Sequence, residues 1–394
     1  MTARPPVADW ATDFDHMHDS WTEDPYAIWD DLRQRCPIAH TGRFEGAYLP
    51  VRYADIRAIA YDPAHFSSRR IVLRDERSPL VSAPPITSDP PEHRAQRAAL
   101  LPLFTPAALA PYEDKVREIC RRLIDRFIDA GGCDGAVQYA QEIPAAVTTL
   151  MLGISADDGD LFRRWLNDLL VLGVEDPALV MRTHGEMGAF FAAEVAKRRA
   201  RPGQDLISRL LDARIDGEPL DDLQLVGMLR LLLIAGIDTT WSALGACLWH
   251  LATHADDRRR LVADPSLLPT AIEEFLRAYS PVSIAREVVA DTEVGGCPFK
   301  AGQMVLLSFA AANRDPAAFP DADKVLIDRA ENRHAAFGLG IHRCVGSHLA
   351  RMELKIALEE WLRRIPEFAL APEAAVTWAA GTVRGPRRLP LVFA

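Results

Sequence analysis

The residues best equipped for chemistry lie near the C-terminal end, in Phe337-Gly338-Leu339-Gly340-Ile341-His342-Arg343-Cys344-Val345-Gly346, directly before a long helical pattern. A cysteine is ordinarily a small buried hydrophobe, but the setting of Cys344 is unusual. Gly338, Gly340 and Gly346 free the backbone to approach a flat object and to adopt positive φ. Arg343 and the start of the next helix favour a thiolate. A thiolate can attack an electrophile or bind a metal. Attack would need a general base and an orienting group, and His342 is placed to point elsewhere. Zinc would need further Cys or His ligands at short spacing, and the sequence has no C-x-x-C. An axial thiolate to a haem iron needs no second cysteine, so that reading stands.

Three other groups of residues stand out. Leu220 to Ala252 is the longest helical pattern, and its apolar character on all sides predicts a helix through the centre of the molecule. Within it, Ala235-Gly236-Ile237-Asp238-Thr239-Thr240 places poor helix formers at a cost of about 0.5–1 kcal/mol each relative to Ala. Such a local violation points to function, with the helix opening to admit a hydroxyl or water. The commonplace alternative is that Thr239 bonds back to its own helix and Asp238 pairs with an arginine. His93 and Arg97 share one helix face and could clamp an anion through charge-assisted hydrogen bonds, or form a solvated face. Glu274 and Arg277, three residues apart, would by themselves be a surface pair worth a few tenths of a kcal/mol.

The Phe337 to Gly346 stretch resembles the haem-binding loop of the cytochrome P450 superfamily, matching F-G-x-G-x-H/R-x-C-x-G at every specified position. Asp89-Pro90-Pro91-Glu92-His93 with Arg97 and Phe104-Thr105-Pro106 is similar to bacterial members, and Ala235 to Thr239 matches the A/G-G-x-D/E-T signature. The resemblance implies haem b with Cys344 as axial iron ligand, Phe337 and Gly338 in the cofactor-binding loop, and His93, Arg97, Arg286 and His342 on the propionates. It implies an oxygen-activating role for Thr239 and a proton relay through Asp238. Glu274, Arg277 and Arg329 become a buried structural network without part in the chemistry. Ile71, Val72, Ile86, Ala235, Val282, Ile284 and Thr382 become substrate-pocket candidates, with Leu161 to Val180 as a mobile roof and Ala380 to Val383 as a hairpin tip reaching the pocket. The fold implied is mainly α with a small β region, about 45–53, 284–308 and 376–394, in a single haem domain over 1–394. The haem lies between the long central helix and the helix that follows Cys344.

The elements that must position these residues read as follows. Asp24 caps a helix over Pro25 to Arg35. Tyr48 to Tyr53 reads as a strand, Ala54 to Tyr61 as a helix, and Phe66 to Thr87 as a loop over the pocket. A helix opens at Asp89, with prolines where a first turn tolerates them. Two helical patterns between Tyr112 and Leu152 are separated by Gly131-Gly132, and another runs to about Arg201 with Phe162, Trp165 and Phe191 as core. Ser280 to Val289 is extended, Asp291 to Leu307 forms paired short strands, and Ser347 to Ile365 is a helix.

Composition bounds the function. The chain has 394 residues, 49% hydrophobic and 25% charged, with a formal net charge of −10, which disfavours nucleic acid as a partner. The N-terminus lacks the apolar stretch of a signal peptide. The apolar run Leu225 to Ile237 is interrupted by Arg230 and too short to span a bilayer, so no membrane partner is expected. Six scattered cysteines give no disulfide framework, which predicts a reducing cytoplasm, and a monomer is the expectation. Asp9 to Asp15 and Phe66 to Arg70 resemble haem domains fused to a reductase. No flavin or iron–sulfur signature follows before Ala394, so electrons from NAD(P)H would come through a ferredoxin and ferredoxin reductase. Arg94, Arg117, Arg121, Arg122, Arg343, Arg351 and Lys355 could form a basic face for that partner or an ordinary solvated surface.

The activity implied is a haem-thiolate monooxygenase that uses dioxygen and two external electrons to hydroxylate or oxidatively dealkylate a small, largely apolar molecule. The competing readings are a peroxide-driven peroxygenase, which has less use for Asp238 and Thr239, and a non-enzymatic haem sensor, which needs neither a deep pocket nor an electron donor.

Overall fold

A computed structural model describes residues 4–75, 81–155, 158–170, 172–174, 176–379 and 381–393. The longest element is the central helix Asp222–Thr253. Its start is fixed by a capping box in which the Asp221 carboxylate accepts from the Gln224 N–H while the Gln224 side chain accepts from the Asp221 N–H. By length and composition this helix could cross a bilayer, which the shorter run from Leu225 to Ile237 did not suggest. It is instead 61% buried inside the protein over its most apolar window. Its partners are the helices Glu142–Leu152 and Pro177–Ala200 and, on another side, the cysteine helix Ser347–Arg364. The cysteine helix packs against Glu113–Asp125, and the Tyr139 hydroxyl donates to the Ala357 carbonyl at 2.8 Å beside the fully buried Trp361.

The predicted helix over Pro25 to Arg35 is observed with those bounds, Asp24 accepting from the Tyr26 N–H and Pro25 in the first turn. The helix expected from Asp89 begins at Glu92, because the Asp89 carboxylate is used elsewhere, accepting from the Ser67 hydroxyl at 2.5 Å and the Ser68 N–H at 2.8 Å. The central helix runs unbroken through Ala235 to Thr240, so the expected opening there is absent.

The β region is larger than expected. Its main sheet has five strands in the order Ile38–Thr41, Ala47–Pro50, Met304–Ser308, Ser283–Val288, Phe66–Ser67. The strand expected over Tyr48 to Tyr53 stops at Pro50, because Tyr53 starts the helix Tyr53–Ala60 and donates its N–H to the Asp315 carboxylate at 2.8 Å. A partner 262 residues away leaves no local signal. The Gly131-Gly132 break likewise contains a strand, Gly132–Asp134, that pairs with Pro390–Phe393. In the tail, Thr377–Trp378 pairs with Pro386–Arg388; Gly381, Thr382 and Val383 lie between them, while Ala380 falls outside the described residues.

Candidate functional site

The cysteine loop is fixed by its own backbone. The Cys344 N–H donates to the Phe337 carbonyl at 2.7 Å and the Gly338 N–H to the Ala335 carbonyl at 2.8 Å. Gly338 and Gly340 have φ of 73° and 69°. A Cβ at Gly340 would lie 2.2 Å from the Ala60 carbonyl oxygen, so only glycine lets this turn pack on the end of the helix Tyr53–Ala60. Cys344 is exposed at its own surface, yet burial penalises its charged form. Bare locally and enclosed at longer range, the residue lines an internal cleft. Burial pushes the thiol above its ordinary value; the Gly346 N–H, Arg343, Arg97 and Arg351 pull it back only in part. The thiolate expected from Arg343 and the helix start is therefore not favoured by the polypeptide alone, and a bound cation would have to supply the missing stabilisation.

Beside this loop the four predicted anion donors converge. The His93 and His342 rings lie 4.3 Å apart, centroid to centroid. Burial and then the positive charges of Arg286, His93 and Arg97 drive His342 down to about 3, and burial lowers Arg286 to about 10. Arg97 donates to the Arg343 carbonyl and Arg286 to the Ala285 carbonyl. Nε2 of both histidines is buried without a partner. Among the described residues no carboxylate hydrogen-bonds to any of the four. Four cationic or potentially cationic groups with no hydrogen-bonded anion, Asp89 acting on His93 and Arg286 only through space, next to a bare thiol in a cleft, fit the two propionates and the iron of a haem.

Asp238 and Thr239 come from the central helix. Thr239 Oγ1 donates to the Ala235 carbonyl at 2.9 Å, and Asp238 Oδ1 accepts from Arg387 Nη2 at 2.7 Å, so both commonplace pairings occur. Ala235 is nevertheless exposed and Thr239 half-buried, one turn apart on one face of a largely buried helix. Arg387 also donates to Ser242 Oγ at 2.9 Å and stacks on Trp241 at 4.1 Å. Asp238 Oδ2 is buried and unpartnered; burial raises this carboxyl above its ordinary value and Arg387 opposes the rise.

Two cavities adjoin. One, of about 220 Å³, is lined by Ile71, Val72 and Ile86; the other, of about 340 Å³, by Val72, Thr382 and Asp238. Ala235, Val282 and Ile284 line neither. The two aliphatic residues pack on the cluster of Ile56, Phe66 and Leu307, and Val282 pairs with Val383 in an isolated bridge. Leu169, Pro177 and Val180 from the expected roof line the first cavity.

Glu274 and Arg277, at the centre of a network, are fully buried. The Glu274 carboxylate accepts from Arg277 Nε and Nη2 at 2.8 Å, Arg329 Nε at 3.0 Å, Asn332 Nδ2 at 3.0 Å and the Leu326 N–H at 2.8 Å. Burial alone would raise this carboxyl; those donors outweigh it and hold it low. Arg277 in turn donates to the Asn313, Ala322 and Lys324 carbonyls. Of the expected basic face, Arg117, Arg121, Arg351 and Lys355 are paired with Glu359, Glu360 or Glu273. Arg94, Arg122 and Arg343 are exposed. Arg387 and Asn332 escaped sequence reasoning because neither stands in a motif and each meets its partner only through the fold.

The family model described as Cytochrome P450 matches residues 179–373. The chain is 34% identical to mycinamicin IV hydroxylase/epoxidase of Micromonospora griseorubida over 89% of this chain and 90% of that protein. It is 38% identical to a steroid C26-monooxygenase of Mycolicibacterium smegmatis over 78% of this chain and 79% of that one. The crystal structure of CYP101J2 superposes with a TM-score of 0.89 at 30% identity, covering 100% of both chains.

Proposed function

This chain belongs to the cytochrome P450 family and is a monooxygenase by that membership; from this premise we propose that it hydroxylates or oxidatively dealkylates a small, largely apolar organic substrate. In the reaction one atom of dioxygen enters the substrate bond and the other leaves as water, with two electrons and two protons consumed. The observation that carries the proposal is the bare Cys344 thiol in a cleft beside four anion donors, two of them with an unpartnered Nε2. A haem bound there supplies the oxidising chemistry.

The chain's own residues do the rest. Cys344 Sγ would ligate the haem iron, in a loop that Phe337 and Gly338 shape. His93, Arg97, Arg286 and His342 hold the propionates, and the free Nε2 atoms of the two histidines provide donors. Thr239 and Asp238 deliver protons: the hydroxyl turns from the Ala235 carbonyl, and Arg387 holds one oxygen of Asp238 while leaving the other available. Glu274, Arg277 and Arg329 tie the segment before the cysteine loop to the helix Leu268–Ala278. Ile71, Val72, Ile86 and Thr382 form the walls that exclude water from an apolar substrate. A bulky apolar substrate also agrees with relatives named for the oxidation of mycinamicin IV and of steroids. The remainder of the proposal is a single cytoplasmic monomer over 1–394. NAD(P)H reduces it through a ferredoxin reductase and a ferredoxin that docks on Arg94, Arg122 and Arg343.

The test supplies the holoprotein with ferredoxin, ferredoxin reductase, NADPH and isotopically labelled dioxygen against a varied compound panel. Product carrying one labelled oxygen supports the proposal. Product with hydrogen peroxide alone, and none with dioxygen, would favour a peroxygenase. Reducible haem with no product from any compound would favour a sensor.

A further inference from the structure

The cavity of about 220 Å³ has an imbalance of charge. Five cationic or potentially cationic side chains line it. Arg69 and Arg70 have acid partners, Asp89 and Glu287, each at 3.5 Å; the other three come from three separate elements: Arg74 from the loop after Phe66–Ser67, His184 from the helix Pro177–Ala200, and Arg230 from the central helix. All three are half-buried. Arg74 donates to the Gly173 carbonyl at 3.0 Å and the Leu169 carbonyl at 3.4 Å, and Arg230 donates to the Ser82 carbonyl at 3.2 Å. His184 Nδ1 and Arg230 Nε are buried with no partner. Among the described residues no carboxylate pairs with any of the three. Burial lowers each of them, and His184, brought down to about 4, also feels Arg230 and Arg74 as like charges, so the three stand within electrostatic reach of one another. Partly buried guanidiniums held only by carbonyl oxygens call for an anion.

The surroundings define what kind of anion. The remaining wall is largely apolar, including Ile71, Val72, Ile86, Val180 and Ile234. Phe44, Val72, Leu73 and Arg74 are shared with the second cavity, which reaches Asp238, so the two spaces adjoin along one wall. Two arginines of that second cavity have acid partners: Arg4 lies 2.9 Å from Asp75 and Arg387 2.7 Å from Asp238. The positive charge without an acid partner is therefore carried by Arg230 and His184, which line the first cavity alone, and by Arg74 on the wall that the two share.

We propose that the substrate is an apolar carboxylic acid whose carboxylate is held by Arg230, Arg74 and His184 and whose hydrocarbon body extends along Val72 and Ile234 towards Asp238. This deepens the monooxygenase reading and rests on it. From Arg230 to Thr239 the central helix rises about 13 Å at 1.5 Å per residue. Oxidation therefore falls at a carbon remote from the carboxylate.

The experiment uses matched ligands on several bodies, a twelve-carbon chain and fused-ring skeletons among them, each carrying a carboxylate, a methyl ester or a trimethylammonium group. Calorimetry with the holoprotein reads binding directly, and the Soret band reads approach to the iron. The acid of at least one body should bind about ten- to a hundredfold tighter than its ester, as expected for charge-assisted hydrogen bonds. Arg230→Gln and Arg74→Gln should each remove most of that gap while ester affinity holds, and Arg230→Lys should retain much of it. Equal binding of acid and ester on every body, or a gap that survives in the double glutamine variant, overturns the proposal. So does hydroxylation next to the carboxylate. A protein that lacks thiolate-ligated haem but still prefers the acid in calorimetry would refute the monooxygenase reading while leaving the anion site standing.

Discussion

Replacing Glu274 with alanine tests how the cysteine loop is held. The carboxylate accepts five hydrogen bonds from Arg277, Arg329, Asn332 and Leu326, and both it and Arg277 are fully buried. Removing it leaves two neighbouring guanidiniums facing only carbonyl oxygens, since Arg329 otherwise donates to the Pro320 and Asp321 carbonyls. Breaking a buried ion pair from one side costs about 3–5 kcal/mol, most of it the penalty of the stranded charge. With an unfolding entropy of about 2.1 cal/mol/K per residue, 394 residues give about 0.8 kcal/mol/K, so a loss of about 4 kcal/mol lowers Tm by about 5 °C. Because Leu326 and Asn332 lead into the cysteine loop, the haem-to-protein absorbance ratio should fall as well. Glu274→Gln keeps the shape but turns an amide N–H₂ towards guanidinium donors, so it should lose a comparable amount. Differential scanning calorimetry and Soret absorbance on the purified variants decide the matter. An unchanged Tm with full haem content in Glu274→Ala would refute the structural role assigned to this network.

Thr239→Ala should retain haem and substrate binding but divert electrons from product, read as a fall in product formed per NADPH consumed; unchanged coupling would remove Thr239 from the mechanism. Arg387→Gln frees Asp238 Oδ1 and lifts the only charge opposing its burial, so Asp238 should hold its proton more tightly and turnover should fall about tenfold or more, with little change in substrate affinity. Equal turnover would show that Arg387 serves packing alone. The Glu360 carboxylate is driven up by burial but held at about 2 by Arg121, Arg117 and Arg363, against an ordinary value of 4.5. A depressed pKa contributes stability above about 4.5 that is lost as pH falls towards 2. The Tm difference between the wild type and Glu360→Gln should therefore be largest near neutrality and shrink below pH 4.5. A difference independent of pH would contradict this assignment.

What could be read from the sequence had local chemistry. The cap and proline around Pro25, the apolar run of the central helix, and the glycines around Cys344 each constrain their own neighbourhood, and the folded chain agrees with all three. Cys344, His93, Arg97 and His342 were legible because two motif-bearing segments carry them, Arg286 only by its position, and the fold brings the four cationic positions together beside the cysteine loop. What was not legible depends on tertiary partners. The Asp315 carboxylate starts a helix at Tyr53, the tail pairs with Gly132–Asp134, and Arg387 meets Asp238 across 149 residues. Arg343 and the Gly346 N–H do draw the Cys344 thiol down, in the direction the sequence suggests, while the burial that pushes it up has no local signal. Likewise, the basic face shrank once Glu273, Glu359 and Glu360 were seen to neutralise four of its seven members.

The proposed ligation of a haem iron by Cys344 is open to a direct test in the carbon monoxide difference spectrum of the reduced protein, compared with that of Cys344→His. The wild type should give the red-shifted Soret band of a thiolate-ligated complex, and Cys344→His the shorter-wavelength band of imidazole ligation, with haem still bound. A wild type that gives only the imidazole-type band, or a Cys344→His variant that keeps the thiolate band, would contradict it.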